Sequence, residues 1–258
     1  MKIKIIISAM IILFCIVGCQ LTFFKKDGMV KGTPEGLYSR GALEYQEGNY
    51  KKAREYFTRL REEHPLNSLA VLADMGIADS YFTDKSYIEA EGAYSDFINL
   101  HPTNENVPYA IYQAGMCHYK QIEAIDRDQS ETVKARKEFE KLGARYPESK
   151  FTTMAERLIV ECKQKQAEHE FYVGKFYFTQ KKYKAALARL EKIAREYANI
   201  GLDYRVEYLI NETKIKIAEE EKLQKEQEAK DKAKEEKKKA KEQEKKAKEE
   251  QKAAQKKQ

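Results

Sequence analysis

The sequence predicts an all-α chain of repeated helix-turn-helix units, about five of them with the last incomplete, ending in a long charged tail. Three observations predict it. Small, aromatic and proline positions recur at a fixed interval. Glycine and proline are scarce, 12 and 5 of 258 residues, which suits long helices better than many turns. No strand-like alternation of useful length occurs. The composition agrees: 35% of residues are charged and the mean hydropathy is -0.75, so most of the surface is solvated, while 17 Tyr and 11 Phe supply large packing groups. The net charge of +6 falls to +4 without Lys2 and Lys4. That is too little, and too scattered, to imply a nucleic-acid partner.

Residues 1–18 read as a leader and not as part of the fold. Lys2 and Lys4 give a positive start, and Ile5 to Val17 is apolar except for Ser8. The run is short for a membrane span and has the form of a secretory leader. It closes on Ile16-Val17-Gly18-Cys19, which resembles the bacterial lipobox. That likeness implies cleavage after Gly18 and a thioether to diacylglycerol at Cys19. The competing reading is an uncleaved anchor helix. The leader is preferred because charge, apolar length and Gly-Cys all sit at the right distance. Two or three acyl chains hold a protein stably to a membrane, at about 0.8 kcal/mol per buried methylene. Gln20, in place of Asp, favours the outer membrane over the inner by the sorting rule of enteric-type lipoproteins. Residues 19–33 then form the lipidated start and a tether.

The repeats occupy 34–217. Gly48-Asn49-Tyr50, Ala53, Phe57 and His64-Pro65 recur as Lys85-Ser86-Tyr87, Ala90, Tyr94 and His101-Pro102, each 37 residues on, and Gly41 recurs as Ala78. The order small, aromatic, small, aromatic, proline matches the tetratricopeptide (TPR) pattern, with a period slightly longer than the usual 34. Gly41 and Ala53 let paired helices approach, Tyr50 and Phe57 fill the space beside them, and Pro65 and Pro102 end the second helix. One pair cannot bury its apolar face alone, so the pairs are expected to stack into a superhelix. A third copy keeps Gly115 in register, but its closing Pro147 lies 45 residues after Pro102. Eight residues have therefore entered the turn near Gln121 to Ser130. There Asp128 and Glu131 have the spacing of a capping box for the helix carrying Ala135 and Phe139. A fourth copy carries Gly174, Tyr183, Ala186, Leu190 and Ile193, with a long first helix from near Thr152 to about Phe178. A fifth unit, Leu202 to Ile217, would cap the stack through Tyr204, Tyr208, Leu209, Ile215 and Ile217.

Residues 218–258 hold 15 Lys and 12 acids, with Ala and Gln between. Acid-to-Lys pairs at i,i+4, such as Glu235-Lys239, each add roughly 0.2–0.5 kcal/mol to a helix. Ala233, Ala240, Ala247 and Ala254 are spaced by seven, but no second apolar position accompanies them, which rejects a coiled coil. The tail reads as a solvated single helix or a disordered segment. The sharper alternative is contact with peptidoglycan or anionic headgroups, against which the interleaving of both signs argues.

Few residues offer chemistry. Cys117 and Cys162 read as buried free thiols, and their spacing suits no metal. His64 and His101 sit at helix C-termini, where they favour the dipole. His169 and Glu170 are adjacent, so they diverge on a helix, and no nucleophile accompanies them. No phosphate loop or catalytic triad is present. The chain is not read as an enzyme, and no catalytic residue, cofactor or metal is expected. Arg127, between Asp126 and Asp128, reads as a turn clamp.

Three stretches narrow the reading: Asp126-Arg127-Asp128-Gln129-Ser130; Ala144-Arg145-Tyr146-Pro147-Glu148-Ser149-Lys150-Phe151; and Ala167-Glu168-His169-Glu170-Phe171-Tyr172-Val173-Gly174, continued by Phe176-Tyr177, Tyr183, Ala185-Ala186 and Arg189. In this order, with a lipobox upstream, the chain from Pro34 to Ile217 resembles the BamD family, also called ComL. Two departures stand out: Tyr197-Ala198 where the family has Tyr-Pro, and the long charged tail. The resemblance implies an outer-membrane protein assembly factor, lipid-anchored on the periplasmic face of the outer membrane. Its C-terminal repeats would dock on the POTRA segment of the β-barrel insertase, with other assembly lipoproteins nearby, and its N-terminal repeats would receive unfolded barrel clients. It places a docking role on Arg189, whose fork can hold a carboxylate across an interface; the competing reading is a solvated Arg paired within its own helix. Tyr38, Tyr45, Tyr81 and Tyr112 fall on first helices and become candidates for the client groove; the competing role for each is core packing. Another TPR lipoprotein, piloting a secretin or pilus system, is the alternative function.

Overall fold

The computed structural model describes residues 32–255, with side chains described through residue 246. The leader 1–18, the cleavage position Gly18, the lipidation position Cys19 and nearly all of the 19–33 tether lie outside the described residues. Among the described residues every regular element is an α-helix, as the repeat pattern requires. The chain divides into two compact units at Ala114/Gly115.

The first unit holds α1 (Pro34–Gln46), α2 (Tyr50–Glu63), α3 (Ser68–Thr83), α4 (Tyr87–Leu100) and the start of α5 (Val107–Tyr119). Thr33 Oγ1 accepts the Gly36 N–H at 3.1 Å, and Pro34 opens α1 where its missing N–H costs nothing. Asn67 caps α3 through the Leu69 N–H at 2.9 Å. The α1–α2 turn needs a left-handed residue and uses Gly48 (φ 80°); the corresponding turns after α3 and in the second unit use Lys85 (φ 63°) and Lys181 (φ 58°). The core is Leu37, Ala53, Phe57, Leu60, Ala73 and Ile77. Phe57 is its keystone. A Cβ added at Gly41 would stand 2.7 Å from the ring, and one at Gly76 also 2.7 Å from it. One aromatic ring therefore sits between two helices that each bare their backbone to it.

The second unit holds the rest of α5, then α6 (Ser130–Arg145), α7 (Lys150–Thr179), α8 (Tyr183–Glu196) and α9 (Asp203–Gln255). Its first joint repeats the design: a Cβ added at Gly115 would stand 2.6 Å from the Phe139 ring. At the α7–α8 joint, one added at Gly174 would stand 3.2 Å from the end of Leu190. The long α7 extends two residues beyond the expected start and one beyond the expected end, with Ser149 capping it through the Phe151 N–H at 3.2 Å. Without a proline after Tyr197, α8 stops through left-handed Asn199 (φ 63°) and Gly201 (φ 87°). Cys117 and Cys162 are buried thiols, neither of them in a disulfide; burial pushes the Cys162 thiol up to about 11.

Two expectations need correction. The capping box does not form: Asp128 accepts the Ser130 N–H at 2.5 Å and its hydroxyl at 3.0 Å, but Glu131 turns away to His118 (2.7 Å) and Lys134 (2.8 Å). A cation and an imidazole outcompete one backbone N–H for a carboxylate. His64 and His101 stand at the C-caps of α2 and α4 as expected, and each has a polar partner as well: His64 Nε2 donates to the Gly32 carbonyl at 2.6 Å, and His101 Nε2 lies 3.0 Å from Asp74. The fifth unit caps through only some of the residues expected, Leu209 among them. Tyr204, Tyr208 and Ile215 are exposed, and Leu202, Val206, Leu209 and Ile210 do the packing. The helix also runs past 217 without a break.

Candidate partner and client surfaces

In the first unit, Tyr38, Tyr45 and Tyr81 all pack on the Phe57 core. Tyr38 meets Phe57 at 5.7 Å between ring centroids. Tyr45 meets Tyr50 at 5.5 Å, and its hydroxyl is 2.8 Å from that of Thr83. The Arg54 guanidinium sits 4.3 Å from the centre of the Tyr81 ring and also holds Asp84 at 3.0 Å. Each ring is half-buried, so one side serves the core and one edge remains at the surface. Tyr112, on α5, is also half-buried and stands outside this core cluster.

A polar cluster that the sequence did not single out lies nearby. Asp79 Oδ1 accepts the hydroxyls of Tyr94 (2.6 Å) and Tyr109 (2.8 Å), and Gln113 donates to Tyr109 at 2.9 Å. Burial raises the Asp79 carboxyl above its usual range, and the two phenolic hydrogen bonds offset only part of that. Tyr109 is pushed upward by burial and by the Asp79 charge. Tyr94 was legible as a repeat aromatic; its partner Asp79 carries no local signal.

In the second unit, the enlarged turn and α7 meet. His169 Nδ1 donates to the Ile125 carbonyl at 2.7 Å, so the last of the three stretches touches the residue just before the first. The turn itself is held by Gln129, whose amide donates to the carbonyls of Ala124 (2.9 Å) and Arg127 (3.1 Å). The clamp is thus Gln129, and Arg127 contributes backbone. Tyr119 donates to Glu161, and that bond pushes the phenol up to about 12.

Arg189 is not paired within its own helix. It reaches Glu170 on α7 at 2.9 Å, and Lys192 reaches the other carboxylate oxygen at 2.6 Å. Burial alone would raise Glu170, but the hydrogen bonds and charges of Lys192 and Arg189 outweigh it and hold the carboxyl low. Glu170 is 9% exposed and Arg189 43%, so the guanidinium retains an outward side. Next to this, the start of α9 has two apolar sides. Val206, Leu209 and Ile210 pack inward against α7 and α8 residues such as Ala167, Leu190 and Phe171. Tyr204, Tyr208 and Ile215, spaced four and seven apart, line the opposite side at 82%, 58% and 52% exposure. No group of three or more His, Cys, Asp or Glu suited to a metal occurs among the described residues.

The family described as "YfiO: Outer membrane lipoprotein" matches residues 31–246. The outer membrane protein assembly factor BamD of Rickettsia prowazekii is 31% identical over 199 residues, covering 76% of this chain and 78% of its own. Those of Caulobacter vibrioides and Vibrio cholerae are 27% and 24% identical, covering 74% of this chain in each case and 63% and 82% of their own. The match spans both compact units and most of the charged helix, and the chain belongs to the YfiO family of outer membrane lipoproteins.

Proposed function

We propose that this chain is an outer-membrane protein assembly factor: a lipid-anchored periplasmic scaffold that docks on the β-barrel insertase and helps deliver unfolded barrel proteins. The relatives named as BamD assembly factors support the general reading, and they give the secretin-pilot alternative no support. The observation that carries the docking surface is the second apolar side of α9, Tyr204, Tyr208 and Ile215. Buried faces of partner sites are rich in tyrosine, and a helix whose inward side is already satisfied has no internal use for an outward one. Arg189 lies in the same unit with half its guanidinium open, able to fork onto a partner carboxylate. In the first unit, the open edges of Tyr38, Tyr45, Tyr81 and Tyr112 offer apolar contact to the aromatic residues of a client strand. Holding a client this way consumes no nucleotide. Cys19, acylated after cleavage at Gly18, moors the chain to the outer membrane.

A photo-crosslinking residue placed at Tyr208 tests this in intact cells. Capture of a large β-barrel protein bearing POTRA repeats, together with loss of many outer-membrane barrels on depletion, is the expected result. Capture of inner-membrane proteins alone, or loss of a single appendage, overturns it. Cys19→Ala is expected to release the chain from the membrane fraction.

A further inference from the structure

The lysines of the tail look interleaved with acids along the chain, but α9 runs unbroken to Gln255 and sorts them by direction. At about 100° per residue, Lys230, Lys234, Lys237, Lys238, Lys241 and Lys245 fall within about 50° of one line along the helix. Five of them, from Lys234 on, stand together on one open face of the helix, with Glu242 beside them. Glu228 and Glu236 fall on the far side. The spacing continues in the sequence at Lys248 and Lys252. Every residue from Ala218 to Lys246 is exposed. Within the stripe, Lys234 is paired to Asp231 at a loose 3.6 Å, whereas the tight pair nearby, Lys239–Glu235 at 2.8 Å, lies off it.

We infer that this lysine face of distal α9 lies on a surface of anionic lipid headgroups. Three features select that partner. The stripe is straight and extends about 23 Å from Lys230 to Lys245 at 1.5 Å per residue, which matches a plane and not a pocket. The tail uses 15 Lys and no Arg, although the chain has 11 Arg before it; lysine is a point charge suited to diffuse phosphate, whereas recognition of a defined carboxylate or phosphate favours the arginine fork. After Leu223 the only apolar side chains are alanines, so nothing stacks on nucleobases and nothing inserts among acyl chains. The contact is electrostatic and reversible, and it is assayed with no assembly partner present, so it stands or falls apart from insertase docking.

The test uses residues 19–258 with Cys19→Ser, so that no acyl chain contributes, floated with vesicles of phosphatidylcholine alone or with one third phosphatidylglycerol. Binding is expected to need the anionic lipid and to weaken with salt. Replacing Lys234, Lys237, Lys238, Lys241 and Lys245 together by Gln is expected to cut it more than about tenfold, since each lysine near an anionic surface contributes roughly fivefold. Replacing Lys222, Lys225, Lys232, Lys239 and Lys246 by Gln removes the same charge from other faces and is expected to change it less than about threefold. Gln and Lys have near-equal helix propensity, and circular dichroism of both variants checks that the helix persists. Replacing the stripe lysines by Arg is expected to keep binding. Equal loss in the two Gln variants, no preference for the anionic lipid, loss of binding with Arg, or sedimentation with insoluble peptidoglycan in preference to vesicles would each overturn the inference.

Discussion

The first and last helix joints are closed differently. Around Phe57 two glycines, Gly41 and Gly76, face one ring, and the ring is 3% exposed. At α7–α8 a single glycine, Gly174, faces the branched end of Leu190, which would stand a looser 3.2 Å from an added Cβ. One turn before Gly174 stands Glu170 with its two cations. Both joints have polar contacts beside the plug: at the first, Arg54 pairs with Asp84, whose side chain is 42% exposed; at the last, Glu170 pairs with Arg189 and Lys192 and is only 9% exposed. A pair open to water is screened and adds little to any response to pH or salt. The joint with the buried carboxylate is sensitive to both, and it sits in the unit that carries the outward tyrosines of α9.

The sharpest way to break this comparison is to remove the plugs. Phe57→Ala is expected to destabilise the first unit by about 4 kcal/mol, because the two bare backbones around the ring cannot collapse onto each other. Leu190→Ala is expected to cost about 3 kcal/mol, since a smaller volume is lost and a contact already loose relaxes further. Urea unfolding followed by circular dichroism measures both. Equal costs, or a larger one at Leu190, would show that the ring is not the tighter plug.

The charged groups sharpen the comparison because two buried acids move in opposite directions. Glu170 is held low by Lys192 and Arg189. Its contribution is therefore present above the ordinary carboxylate range and is lost as pH falls through the lowered value. Asp79 is raised by burial. Its favourable term is full below the ordinary range and is lost as pH rises through the raised value. Glu170→Gln is expected to cost about 1.5 kcal/mol at neutral pH, typical of hydrogen bonds to charged groups discounted for the half-open arginine, and to match the parent in acid. Asp79→Asn keeps an oxygen for Tyr94 and Tyr109 and is expected to be no less stable than the parent at neutral pH. Urea midpoints at neutral and acid pH decide it; a shared direction for the two variants would refute the assignment.

What was legible in the sequence follows the same line between local and distant causes. The 37-residue interval placed Gly41, Phe57, Gly115 and the proline-ended helices, because each is set by residues close along the chain. The turn insertion was legible from Pro147 falling late. What was missed came from long-range competition. Glu131 has the spacing of a cap, but His118 from another helix takes it. Glu170 takes Arg189 from 19 residues away. Asp79 collects phenols 15 and 30 residues on. The start of α9 failed for a different reason: it is apolar on two sides, so periodicity alone does not say which side turns inward. The tail is the solvated single helix that was one of its two readings; that its charges, interleaved in sequence, separate in direction emerges only once the helix is continuous.

The smallest expected effect comes from the tail, and it divides α9 into two regimes. Up to Ile217, Val206, Leu209 and Ile210 tie the helix to its unit. Beyond it, the described tie is Lys184–Glu221 at 3.7 Å, between side chains 82% and 51% exposed. Such a pair is worth about 0–1 kcal/mol, and less in salt. Ending the chain after Ile217 is thus expected to leave the unfolding free energy of the repeats within about 0.5 kcal/mol of the parent. Ending it after Asp203 removes Val206 and its neighbours and is expected to cost several times more, about 3 kcal/mol or above, through lost apolar burial. A tail deletion that costs as much as the longer one would mean that the distal helix folds back on the repeats, and its lysines would then be unavailable to any outside surface.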